Sequence, residues 1–118
     1  MKYICLIYAD ETQIPVPDSP AFSQMMSAYE AFNDEVRAAG VLVAGEPLED
    51  TPTASTVSVR GGERIVTDGP FAETKEQLGG FYILDCRDLD EALDYAAKIP
   101  TATVGRVEVR PLMVLPGA

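Results

Sequence analysis

The first segment of the chain shows no alternation of apolar and polar positions. Tyr3-Ile4-Cys5-Leu6-Ile7-Tyr8 is continuous, rich in aromatic and aliphatic residues, and stops at Asp10-Glu11, which predicts a strand. It sets Tyr3, Cys5 and Ile7 on one face and Ile4, Leu6 and Tyr8 on the other. A strand apolar on both faces belongs inside a sheet that is covered on both sides. Phe81 to Cys86 reads the same way. The last segment, Arg106 to Leu112, does alternate, with Val107 and Val109 on one face and Glu108 and Arg110 on the other. Between these strands the period changes. Phe22, Met25, Met26, Tyr29, Phe32, Val36 and Ala39 recur at helical spacing. With Ser19 as cap, Pro20 in the first position and Gly40 past the end, they predict a helix over about 20–39. Val41 to Ala44 then forms a strand, and strand, helix, strand implies a parallel crossover. Glu46 to Pro52 reads as loop. Val57 to Val66 reads as a hairpin about Gly61-Gly62, with Arg60 facing Glu63. Asp88-Leu89-Asp90-Glu91 is a capping box that opens a second helix. That helix turns Leu89, Ala92, Leu93, Ala96 and Ala97 inward and stops before Pro100. The tail Leu115 to Ala118 is expected to fray.

Two strand-helix-strand units joined through a hairpin make a split βαβ pattern. The expected fold is an α+β, ferredoxin-like sandwich, an antiparallel sheet with both helices on one face, in a single domain over 1–118. Two helices cover only one face of such a sheet. The apolar second face of the two inner strands therefore calls for another body, and an identical sheet from a second copy is the simplest one. A homodimer through the sheet face follows, with Glu108 and Arg110 looking into the space between the sheets.

Composition narrows the function classes. The 118 residues carry nineteen Asp and Glu against nine Lys and Arg, a net charge of −10, which excludes nucleic acid as a partner because such binding depends on basic groups. No apolar run approaches the ~18 residues of a membrane span, and no export signal precedes the first strand. Cys5 and Cys86 lie in apolar strands and read as buried, reduced thiols, so a cytoplasmic location is expected. The chain has no His. That removes the commonest general base, the usual transition-metal ligand and any Ser-His or Cys-His pair. Phosphate-loop and dinucleotide motifs are absent, and nothing in the spacing of the carboxylates argues for a metal, so no cofactor is expected.

Candidate chemistry concentrates between Thr67 and Phe81. Asp68, Glu73, Lys75 and Glu76 fall within nine residues, and Gly69-Pro70 and Gly79-Gly80 read as sharp changes of direction at either end. Asp68 admits two readings. It is a general acid or base if burial raises its pKa, or a turn residue bonding its own backbone two residues on. Lys75, the one cation in the cluster, either binds an anionic substrate or serves as a solvated salt-bridge partner. Tyr8, Tyr29 and Tyr82 read as core aromatics with one wet end.

Asp68-Gly69-Pro70-Phe71, then Glu73-x-Lys75-Glu76-x-Leu78-Gly79-Gly80, then Glu108-Val109-Arg110-Pro111 form an ordered set across 44 residues. This set resembles the YCII-related proteins of the DGPF type. The resemblance implies the same ferredoxin-like fold in an assembly of the dimeric α/β-barrel type. It also implies relatives that are small cofactor-independent lyases and isomerases of aromatic breakdown, using a His and Asp pair. Asp68 matches the aspartate of that pattern, and no residue here matches the histidine. The expectation is a lyase or isomerase acting on a small anionic or aromatic metabolite, with Asp68 catalytic and Phe71, Lys75, Glu108 and Arg110 binding substrate in one cavity. Some DGPF proteins resemble accessory partners of extracytoplasmic-function sigma factors, which gives a second class, a non-enzymatic ligand-sensing or protein-interaction module.

Overall fold

The two strands that are apolar on both faces become the two middle strands of the main sheet. In the computed structural model, which describes residues 1–117, the elements are β1 (Lys2–Ala9), α1 (Pro20–Ala38), β2 (Leu42–Pro47), β3 (Ser55–Arg60), β4 (Glu63–Asp68), β5 (Gln77–Asp85), α2 (Leu89–Lys98) and β6 (Arg106–Pro111). The main sheet has the order β2-β5-β1-β6 and every pairing in it is antiparallel. β1 and β2 thus run the same way with β5 between them, so the crossover through α1 skips one position. This is the ferredoxin-like α+β topology expected from the pattern. The end of the expected frayed tail, Ala118, lies outside the described residues.

The core lies between the sheet and the helices. Tyr3, Cys5 and Ile7 of β1 and Tyr82 and Leu84 of β5 pack with Phe32 and Val36 of α1 and with Ala92 and Ala96 of α2. The Phe32 ring meets Tyr82 edge-on at 5.0 Å, and the Tyr82 hydroxyl donates to Asn33 Oδ1 at 2.5 Å. Tyr29 shares a 2.6 Å hydrogen bond with Thr101. These tyrosines keep an apolar body inside and bond their polar tips, as read from the sequence. The register sets Val107 and Val109 opposite Ile7 and Cys5, on the helix side, and Arg106, Glu108 and Arg110 opposite Tyr8, Leu6 and Ile4 on the other face. That open face also carries Phe81 and Ile83, which are half-buried.

Caps form as the sequence indicates. Ser19 Oγ accepts from Phe22 N at 3.1 Å, Pro20 begins α1, and Gly40 follows it with φ 73°. Asp88 caps α2 through Glu91 N at 2.9 Å. The hairpin turn has φ 57° at Gly61 and 79° at Gly62, the left-handed pair that tight hairpins need.

Several expectations are corrected. Glu46 and Pro47 extend β2 rather than opening a loop. Gly79 and Gly80 lie inside β5, where the register against β1 slips between Ile7 and Tyr8, so they form a bulge and not a reversal of direction. Leu89 and Leu93 stay exposed, since α2 is anchored by its small residues Ala92 and Ala96 and by Ile99 after it. Arg60 and Glu63 are opposite in register, yet Arg60 donates to Val59 O and makes no ion pair with Glu63. Most consequentially, β3 and β4 form a sheet of their own, leaving the main sheet and its helices as a slab from which the hairpin projects.

Both thiols are free and buried. Burial first, and the nearby Cys86 second, push the Cys5 thiol from its ordinary 9.0 up to about 11. The folded state holds the neutral thiol where the unfolded chain would ionise. That contribution to stability is complete below pH 9 and is lost as pH rises from 9 towards about 11. Cys5→Ala is expected to lower stability at neutral pH by opening a cavity, and also to flatten the alkaline decline. Melting temperature followed across that window checks it, and an unchanged slope would refute the assignment.

Candidate functional site

The register brings one end of β1 and the start of β6 together. Tyr8 pairs with Arg106, and the approach depends on Gly105, where a methyl group would sit 2.0 Å from Tyr8 O. Next to this corner, the loop before β5 supplies Thr74, Lys75 and Glu76. Together with Asp10, Val107 and Glu108, these residues line an open groove of about 790 Å³.

Most charges in the groove are already engaged. Arg106 Nε lies 3.1 Å from Glu76 Oε1, and Glu108 Oε2 accepts from Arg110 Nε at 2.8 Å. Asp10 Oδ1 accepts from the Thr12 hydroxyl at 2.6 Å and from Thr12 N at 2.9 Å. These two bonds, the hydroxyl's first, hold its carboxyl below the usual range, so it stays ionised and serves as a cap. Lys75 is the groove cation with no carboxylate within ion-pair distance among the described residues. The arrangement offers one available positive charge in a groove that also holds a tyrosine ring and three carboxylates, Asp10, Glu76 and Glu108, each already bonded.

The loop that carries Lys75 is tied down from behind. Glu11 N donates to Gln77 Oε1 at 3.0 Å, and the Glu11 carboxylate accepts from Thr51 N at 3.2 Å and from the Thr51 hydroxyl. Gln77 Nε2 donates in turn to Thr74 O at 2.5 Å. A second, smaller groove of about 380 Å³ lies on the other side of this loop, between Thr51, Pro52, Pro70, Ala72, Glu73 and Gln77. No group of three or more His, Cys, Asp or Glu among the described residues could hold a metal ion.

Of the five residues expected in one cavity, the single chain brings together Lys75 and Glu108. Arg110 stands outside the groove wall, turned to Glu108. Phe71 is 90% exposed and lines neither groove. Asp68 ends β4 on the projecting hairpin, exposed, with no ion pair and no hydrogen bond to its carboxylate among the described residues. The expected turn bond two residues on is absent too, because that position is Pro70, which has no N–H to donate, and the Gly69 N–H, at φ 93°, goes to Ala54 O. Arg106 and Asp10 were not anticipated. Arg106 was within reach of the sequence: the alternation that puts Glu108 and Arg110 on the open face puts Arg106 there as well.

The geometry defines a ferredoxin-like α+β sandwich with one bare sheet face and an open, ligand-sized groove at its corner. The chain belongs to the YCII-related domain family, which matches residues 1–116. An uncharacterised protein of Rhizobium meliloti (strain 1021) is 43% identical over 114 residues, 95% of this chain and 92% of that one. Among solved structures, 5-chloro-2-hydroxyhydroquinone dehydrochlorinase from Burkholderia phenoliruptrix AC1100, in complex with 2,5-dihydroxybenzoquinone, matches with a TM-score of 0.51 at 16% identity, over 96% of this chain and 94% of that one. That likeness is one of fold.

Glu11 and Asp68 make a contrasting pair of carboxylates. Removing Glu11 leaves the Thr51 donors without their charged acceptor, so Glu11→Ala is expected to cost about 1.5–3 kcal/mol and to speed amide exchange at Thr51. Asp68→Ala is expected to stay within about 0.5 kcal/mol of the parent. Denaturant unfolding at matched protein concentration measures both, and a destabilised Asp68→Ala would show a structural bond that the fold does not contain.

Proposed function

We propose that the groove beside Tyr8 binds a small anionic aromatic metabolite and that the protein acts on it without a cofactor. Lys75 carries this reading: it is the cation in the groove that no carboxylate neutralises. An acidic group of the ligand would rest against the Lys75 ammonium and its ring against Tyr8. The family and a fold neighbour that holds a dihydroxybenzoquinone support the substrate class, and a lyase or isomerase is the reaction class in keeping with that neighbour. Asp68 remains the proposed acid or base, with Phe71, Glu108 and Arg110 as binding residues, in an arrangement that the single chain does not assemble.

The assembly is part of the proposal. Ile4, Leu6, Tyr8, Phe81 and Ile83 make the open sheet face apolar down its centre, and a second copy covering it face to face would turn the open groove into a cleft between two sheets. A second reading, a ligand-sensing or protein-interaction module, is favoured by Phe71, an aromatic ring held almost wholly in solvent.

Two measurements test these readings. In a thermal-shift titration with benzoate, 4-hydroxybenzoate and other aromatics that carry a single acidic group, a ligand at ~100 times its dissociation constant is expected to add about 2.7 kcal/mol of stability. Lys75→Ala is expected to weaken binding about tenfold, the equivalent of ~1.4 kcal/mol. Conversion of the bound compound would make the protein an enzyme, and binding without conversion would make it a sensor. Binding that ignores Lys75 would remove the site. For the assembly, Leu6→Asp would bury a charge between the sheets and is expected to give monomer or aggregate. A parent protein that sediments as a monomer at micromolar concentration would overturn the dimer.

A further inference from the structure

The β3–β4 hairpin has nothing to lie on. Neither strand packs on another element of the chain beyond its foot, and a lone two-stranded hairpin is marginal in water. Its register sorts the side chains into two faces. Val57 pairs with Val66 and Val59 with Arg64, which puts three valines on one face, and all three are more than half exposed. A face of this kind on a projecting element is an interaction surface.

We propose that the hairpin is an arm that clasps a second copy of this chain, its Val57, Val59 and Val66 face closing on the partner. This rests on the sheet-face dimer proposed above and extends it to a second, separate contact.

Area identifies the occupant first. The chain exposes 8398 Å², whereas a self-sufficient monomer of 12.7 kDa is expected to expose about 6,200 Å². The excess, roughly 2,200 Å², lies within the range of about 1,000–2,500 Å² that each subunit contributes to an obligate dimer. A radius of gyration of 16.4 Å, against roughly 13.5 Å for a compact chain of this length, says the same of its shape. Charge points the same way. Between Ser55 and Asp68 two arginines balance Glu63 and Asp68, so the arm is neutral and the rest of the chain carries the whole −10. Two bodies of that charge repel one another, while the arm approaches either without penalty. Arg64, which shares the valine face and is in no ion pair within its own chain among the described residues, is available for the acidic surface of the partner. Asp68 stands at the foot of the valine face. The proposal therefore places it at the solvated rim of the interface, where a charge contributes little, and away from the groove of its own chain.

The test uses the full-length protein in two measurements. In sedimentation, Val59→Asp is expected to weaken dimerisation at least 100-fold while leaving the far-ultraviolet spectrum of the sheet and helices unchanged, because nothing in the core touches Val59. A dissociation constant within threefold of the parent overturns the arm. If Leu6→Asp breaks the dimer and Val59→Asp does not, the arm fails and the sheet-face dimer stands. If the parent is a monomer, both fail. Hydrogen exchange on the parent needs no mutation. Amides of 55–68 are expected to exchange at least tenfold more slowly at concentrations where the dimer is full than after dilution to monomer. An arm that exchanges fast in the full dimer, or only slows when a different protein is added, overturns the proposal.

Discussion

The structure depends on a mismatch between a sheet with two apolar faces and a chain with only two helices to cover them. β1 over 3–8 and β5 over 81–84 are apolar on both faces, and α1 and α2 both fall on the side of Cys5 and Leu84, which are fully buried. Burial on that side is worth about 25 cal/mol for each Å² of apolar surface, and it supplies the core. On the other side the same strands present Ile4, Leu6, Phe81 and Ile83 with no helix over them. The sheet edges adapt to this. β6 turns its valines to the helices and Arg106, Glu108 and Arg110 to the open face. The result is an apolar centre with a charged margin, and the groove lies on that margin, where β1 ends.

Periodicity made the sheet legible because it reports a face, and a face is what burial acts on. Two-sided apolarity at 3–8 and 81–86 put those strands in the middle, alternation at 106–112 sorted that strand into an apolar and a charged face, and Ser19, Gly40 and Asp88 marked helix ends through the hydrogen bonds that they now make. Glycine was less informative. Gly61-Gly62 and Gly79-Gly80 look alike in sequence, yet one pair turns a hairpin with positive φ at both residues and the other sits inside a strand as a bulge. Both uses exploit the missing side chain, and nothing local tells them apart.

The candidate site was legible only in part for a related reason. Asp68 and Lys75 are seven residues apart and carry opposite charges, so proximity in the sequence suggested proximity in space. But Asp68 still belongs to the hairpin, whose cross-strand bonds hold it beside Ser55, while Lys75 belongs to a loop fastened to the body through Gln77 and Glu11. A chain that leaves the body and returns within that span separates the two. The residues that do meet at the groove, Tyr8, Lys75, Arg106 and Glu108, come from three distant parts of the sequence and are joined by strand register, which a single sequence does not display.

A net charge of −10 weighs against the anionic ligand proposed for the groove, and the objection is met by the range of the forces. At physiological ionic strength a charge is screened over about 8 Å, far less than the 48 Å length of the molecule, so a ligand in the groove senses its near neighbours and not the total. Those neighbours are unequal. Glu76 and Glu108 are matched by guanidinium groups and Asp10 is bonded to Thr12, whereas Lys75 is unmatched. A small anion therefore meets a positive point in a negative protein, but only in one orientation, with its charge towards Lys75 and its uncharged part towards Tyr8. A ligand charged at both ends would meet Asp10 or Glu108 at the second. In the proposed site the same carboxylates that make the protein acidic would act as a filter on ligand shape and charge, selecting a compact molecule with a single acidic end.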